Sequence, residues 1–324
     1  MLAGLSAALG AGLLWGLVFI VPLLLPDYSG AMLAAGRYAA FGVLAIVLAR
    51  ADRAALKRLT RADWIAAAKL ALIGNMLYFA ALASAIQLAG VTVPTMIIGT
   101  LPVAIAITAK LTSGDAADHG LPWARLLLPL TVIGLGLALV HGQSAQAGDI
   151  AHDARYWSGL ALAGVALVCW TWYPLNNSYW LRRQPAGLAR AWATAQGLMT
   201  LPLALMALAG IALWQWASTG TVDLAGPRPG VFVLLMLLTG LLASWLGTML
   251  WNRASHLLPP GLAGQLIVFE TLAALAYGFV WYQRWPTLAE VGGITLLMIG
   301  VVLAVRAFRQ RRVPTAELER PTPV

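Results

Sequence analysis

Charge and cysteine are both scarce in this chain of 324 residues: 12 acidic residues, four histidines and a single cysteine, Cys169. One thiol can form neither an intramolecular disulfide nor a cysteine metal cluster. Cys169 falls in an apolar run, where a buried inert thiol is the ordinary reading. Membrane-bound acyl, phosphoryl or glycosyl transfer requires clustered carboxylates, histidines or a metal at one membrane face. Here His119, His141, His152 and His256 are scattered, and Asp149, His152 and Asp153 form only a thin group. The chain is therefore expected not to be an enzyme, with a membrane-embedded transferase as a remote alternative, and neither cofactor nor metal is expected. No ring of like charge or selectivity-filter sequence supports a channel.

Apolar residues dominate what is present. They make up 60% of the chain, charged residues only 10%, and the mean hydropathy is +0.80. Such a composition cannot bury its apolar surface in one soluble core and still show water a polar exterior, so an all-α integral membrane protein is expected. A helix crossing the bilayer needs about 20 apolar residues. Runs of that kind lie at roughly 3–25, 30–49, 65–86, 91–111, 122–141, 157–181, 188–213, 230–252, 260–282 and 289–307. The first is read as a retained span and not a signal peptide, because no basic stretch precedes it and no small-residue cleavage site follows.

The net charge of +9 would suggest nucleic acid in a soluble protein. In this chain the basic residues sit at helix ends and in short loops, where they orient helices, so no nucleic-acid partner is expected. With the N-terminus inside, the inner segments hold Arg50, Arg53, Lys57, Arg58, Arg61, Lys69, Lys110, Arg125, Arg182, Arg183, Arg190, Arg253, Arg306, Arg309, Arg311, Arg312 and Arg320. The outer segments hold Arg155, Arg228 and Arg284, and Arg37 falls inside the second span. That asymmetry assigns both termini to the cytoplasm. The segment 52–63 reads as a short interfacial helix, with Leu56 and Leu59 toward lipid.

The spans also fall into two sets of five. Leu13-Leu14-Trp15-Gly16 in the first span matches Val168-Cys169-Trp170-Thr171 in the sixth, and Gly134 and Gly136 in the fifth match Gly300 in the tenth. Ala85-Ile86-Gln87-Leu88 can be laid over Ala254-Ser255-His256-Leu257, a register that sets Leu101 over Glu270 and Pro102 over Thr271. Five is odd, so the second set enters the membrane in the opposite sense. This is the inverted-topology repeat of secondary transporters, which hold substrate near the midplane between halves.

On these residues the chain resembles the drug/metabolite transporter superfamily in its ten-helix form with two EamA-type repeats. The Trp-Gly of the first span, Arg37, Tyr78, Pro102 and the glycine-bearing fifth and tenth spans carry the likeness. Ile267-Val268-Phe269-Glu270-Thr271, continuing to Trp281-Tyr282-Gln283-Arg284-Trp285-Pro286, resembles the aromatic amino acid exporter branch. Where such repeats close a helix with Gly-Glu-Arg, this chain has Ser113-Gly114-Asp115 and Tyr282-Gln283-Arg284. The resemblance implies a first repeat at 1–142, an outer linker at 143–156, a second repeat at 157–308 and a disordered cytoplasmic tail at 309–324. It further implies a monomer in the bacterial-type cytoplasmic membrane that exports small metabolites by alternating access, most readily aromatic or bulky apolar amino acids. A multidrug or lipophilic-cation exporter of the same superfamily is the alternative.

Intramembrane polar groups nominate the site. A charge at the centre of a span costs about 2.5 to 3.5 kcal/mol and is normally turned inward and paired. Glu270 and Arg37 could meet as an ion pair, or Arg37 could snorkel to headgroups while Glu270 pairs locally. Asn75, Gln87, Gln196 and Gln265 serve equally as interhelical ties or as substrate contacts. Trp15 and Trp170 occupy equivalent places in the two halves and could face each other across a cavity whose aromatic walls suit a flat, amphipathic substrate. Trp15, Asn75, Tyr78, Trp170, Gln265 and Glu270 are the candidate substrate-binding residues. Pro22, Pro94, Pro102, Pro129, Pro174 and Pro202 are candidate bend points.

Overall fold

A computed structural model describes residues 2–112, 124–146, 153–183, 189–257, 266 and 268–309. Gln265, His119, His152, residues 147–152 of the linker and the tail from residue 310 lie outside the described residues. Helix is the regular structure throughout them. In chain order we label α1 Leu2–Leu24, α2 Gly30–Leu56 and α3 Arg61–Ala89. There follow α4, formed by Thr92–Gly99 and Leu101–Thr112, α5 Ala124–Gln146, α6 Ala154–Arg183 and α7 Ala189–Thr219. The last three are α8 (229–257), α9 Val268–Trp281 and α10 Leu288–Arg309. Six of these helices contain a stretch long and apolar enough to cross a membrane, and four shorter apolar stretches lie at Thr92–Ile105, Leu126–Val140, Val268–Trp281 and Leu288–Ala304.

Helix ends are set by local side chains. Ser29 caps α2, its Oγ accepting from the Met32 N–H at 3.2 Å. Thr60 and Asp63 form a reciprocal capping box at the start of α3, and Asp63 Oδ2 accepts from the Thr60 N–H at 2.8 Å. Thr287 and Glu290 repeat that arrangement at α10. The interfacial helix expected at 52–63 is not formed: α2 continues through Leu56, and the Thr60 cap then opens α3. Asp52 is buried and accepts from Thr194 Oγ1 at 2.7 Å, while Leu59 packs with Trp192 and Ala195 and not against lipid. The amphipathic pattern reflects a protein contact with α7.

Small residues let the helices approach closely, as membrane packing requires. Gly12 and Gly16 of α1 abut Phe269 and Ala273 of α9, so that a Cβ at either glycine would come within 2.9 Å of them. A Cβ at Gly136 or at Gly293 would stand 2.7 Å from the other's carbonyl oxygen, joining α5 to α10. Gly42 and Gly197 do the same for α2 and α7. The outward surface is apolar: Val47 is 57% exposed, Leu127 68%, Val168 68% and Val280 75%. Water would penalise such a surface, whereas lipid chains accept it.

Two helices change hydrogen-bond pattern midway. Residues Ala71–Leu77 of α3 and Gly240–Leu246 of α8 are π-helical. Under the register that lays Ala85-Ile86-Gln87-Leu88 over Ala254-Ser255-His256-Leu257, these two segments coincide end to end. Neither contains proline, so the widening arises from packing and not from a missing N–H.

Candidate functional site

Arg37 is the organising charge. It lies about two turns into α2, only 6% exposed, and so does not snorkel. Its guanidinium carbon sits 4.7 Å from the Phe79 ring centroid and 5.1 Å from that of Tyr38. Nε donates to Ser244 Oγ, in the π-helical turn of α8, at 3.1 Å. Nη1 is buried and has no hydrogen-bond partner among the described residues. Ring faces stabilise a cation by about 0.5–2 kcal/mol, but an unsatisfied buried donor costs about 1–3 kcal/mol, so the guanidinium is held in place yet left incomplete.

Glu270 is 5% exposed. Among the described residues its carboxylate makes no hydrogen bond, and Arg37 and Glu270 are not in ion-pair contact. The expected direct pair is therefore absent, because Arg37 is drawn aside by Ser244 and two rings. The two groups still act on each other electrostatically, and both act on Tyr78. Glu270 and Thr271 line a small cavity with Leu101 and Pro102, the residues that the register sets opposite them, together with Ile98, Gly99 and Val268.

Tyr78 stacks on Trp170 with centroids 4.6 Å apart, and Trp170 stacks on Tyr173 at 5.2 Å. The Tyr173 ring in turn presses on Gly74 in the π-helical turn of α3, where a Cβ would come 2.6 Å from its Cγ. Trp170 Nε1 and Thr171 Oγ1, adjacent on α6, are buried without hydrogen-bond partners among the described residues. Asn75, in the same π-helical turn as Gly74, is half-buried, and its amide makes no hydrogen bond among the described residues. The structure thus sets Asn75, Tyr78 and Trp170 beside Arg37, which packs on Phe79, the residue after Tyr78, while Glu270 is linked to Tyr78 and Arg37 through electrostatics.

Trp15 and Trp170 do not meet. Trp15 Nε1 donates to the Ala243 carbonyl at 2.9 Å, and its ring packs on Trp251 and Gly247. Each tryptophan seats on a helix carrying a π-helical turn, Trp15 on α8 and Trp170 on α3. The polar ties are also sorted. Gln87 Nε2 donates to the carbonyls of Tyr28 at 2.9 Å and Leu25 at 3.3 Å, fixing the turn after α1. Gln196 accepts from Tyr173 OH at 2.9 Å and donates to Asn177 at 3.1 Å, and Trp192 donates to the same Asn177 oxygen. Both glutamines hold helices together. Arg284, in the place of the usual dyad, makes a two-pronged pair with Glu290 at 2.6 and 2.7 Å.

Sequence reasoning missed Tyr38, Ser244 and the contact of Tyr173 with Gly74. Tyr38, next to Arg37, carried a usable signal, a tyrosine deep in a span. Ser244 carried none, since a serine in an apolar helix is unremarkable without its partner.

No protein-family model matches the chain. A solved protein crystal structure shares its fold, with a TM-score of 0.55 over 95% of this chain and 97% of the other at 18% identity. The inner membrane protein YtfF of Escherichia coli (strain K12) is 47% identical over 311 residues, which cover 95% of this chain and 96% of that protein. With its apolar helices and lipid-compatible exterior, this chain is a multi-pass helical membrane protein and belongs to the family of inner membrane protein YtfF.

Proposed function

We propose that the chain is a secondary transporter of the drug/metabolite transporter superfamily that exports aromatic or other bulky apolar amino acids across the cytoplasmic membrane by alternating access. The observation that carries this reading is the interior cluster of Arg37, Tyr78, Trp170 and Glu270, in which charged and hydrogen-bonding groups lie buried beside stacked rings without full partners. Fold stability alone does not account for such a cluster, since each unsatisfied group costs free energy. The cavity beside Glu270 has room for about one water, so admitting substrate requires helices to separate.

A ten-span, five-plus-five inverted repeat supplies that motion. The coincident π-helical turns of α3 and α8 support it, as do the paired contacts of α1 with α8 and of α6 with α3. The turn before α2 meets the turn before α8 through Tyr28 and Ala225, at the end opposite Asp52 and Thr194. This agrees with an even number of crossings between the two turns. Tyr78, Trp170, Glu270, Asn75 and Gln265 are proposed to touch substrate, while the indole of Trp15 is committed to α8. A carrier acting as a monomer, with no enzymatic role, fits this arrangement.

Uptake of labelled Phe, Trp, Leu, Thr and tetraphenylphosphonium into proteoliposomes, with and without a pH gradient, tests the proposal. Transport of Phe and Trp above empty liposomes is expected. Transport of the cation alone would favour the multidrug alternative.

A further inference from the structure

Arg37 and Glu270 carry opposite charges, are both more than nine-tenths buried, feel each other's field and yet do not touch. Arg37 is prevented from closing the gap by Ser244 and by the rings of Tyr38 and Phe79, and it keeps Nη1 without an acceptor. The Glu270 carboxylate makes no hydrogen bond among the described residues, and Glu270 lines a small cavity with Leu101, Pro102 and Thr271. A buried ion pair kept only for structure would be expected to close, because attraction in the interior repays desolvation only at short range with good geometry.

We propose that this gap is a recognition site for an α-amino acid zwitterion, whose carboxylate takes the free edge of the Arg37 guanidinium while its ammonium donates to Glu270. The inference rests on the amino acid reading given above and deepens it. The two heads of an α-amino acid are separated by one carbon, so they bridge partners that are near without touching. A guanidinium edge matches a carboxylate in shape and charge, and an ammonium donates to a carboxylate in short charge-assisted bonds. Tyr78 lies within the field of both charges and heads the Tyr78–Trp170–Tyr173 stack, which gives a flat side chain a ring to lie against. Bound this way, substrate removes both incomplete charges at once, and a molecule carrying only one head leaves the other unpaired.

The test is competition against labelled Phe counterflow in proteoliposomes of the full-length chain, using unlabelled Phe, 2-phenylethylamine and 3-phenylpropionate. A site built around a polar group rejects the analogue lacking it, so each one-headed analogue should compete at least about tenfold more weakly than Phe. Arg37→Gln should weaken Phe while sparing 2-phenylethylamine, and Glu270→Gln should weaken Phe while sparing 3-phenylpropionate. Equal competition by 2-phenylethylamine and Phe in the native chain overturns the inference, and this comparison needs no variant to fold. If Phe is carried but Arg37→Gln weakens Phe and the amine equally, Arg37 is a scaffold residue and the inference fails while the transport proposal stands. If Phe is not carried at all, the transport proposal itself fails.

Discussion

Arg37 Nε donates to Ser244 Oγ at 3.1 Å, fastening α2 to the π-helical turn of α8. Hydrogen bonds to a charged group contribute about 1.5–3 kcal/mol, and losing one inside the bundle leaves a second guanidinium donor unsatisfied. Ser244→Ala is therefore expected to lower the thermal midpoint in detergent, and Ser244→Thr, which retains a hydroxyl, to restore most of it.

Trp170 is held face to face by Tyr78 at 4.6 Å and Tyr173 at 5.2 Å. Each aromatic pair contributes about 0.5–1.5 kcal/mol beyond the area it buries. Trp170→Ala should raise the KM for Phe several-fold, and Trp170→Phe should recover most of the loss. An unchanged KM in Trp170→Ala would remove the residue from the site.

Gly74 meets the flat of Tyr173 where no side chain fits. Overpacking of this kind costs about 1–3 kcal/mol. Gly74→Ala should lower the thermal midpoint, and the double variant Gly74→Ala with Tyr173→Leu should lower it less than the two separate effects combined. Simple additivity would contradict the contact.

Tyr28 OH donates to the Ala225 carbonyl at 2.8 Å and accepts from the Arg228 N–H at 3.1 Å, and the neighbouring Arg228–Asp27 pair is 41% and 47% exposed. Exposed ion pairs contribute about 0–1 kcal/mol, whereas Tyr28→Phe removes two part-buried hydrogen bonds at about 1 kcal/mol each. Tyr28→Phe should speed amide exchange across 223–230, and Asp27→Asn should leave it nearly unchanged.

The helical spans were legible because about 20 apolar residues between turn signals leave little choice of structure. Arg37 and Glu270 were legible for the related reason that a charge in a span is costly. Their relationship was not legible: a sequence pairs opposite charges by default, and only the positions of Ser244, Tyr38 and Phe79 show Arg37 held away from contact. The π-helical turns were hidden because Ala71–Leu77 and Gly240–Leu246 contain no proline and read as ordinary apolar helix. The stretch 52–63 misled for the opposite reason, since its amphipathic pattern was real but its apolar side faced Trp192 and its Asp52 faced Thr194. Trp15 and Trp170 read as equivalent positions in two sets of spans, but equivalence would not oblige two residues to face each other, and Trp15 packs on Trp251 instead.

Uptake of labelled Phe by inside-out membrane vesicles from cells expressing the full chain tests the central claim most directly. Accumulation above vesicles lacking the chain, lost in Glu270→Gln, is the result expected of an amino acid exporter. Accumulation of tetraphenylphosphonium with none of Phe would contradict it.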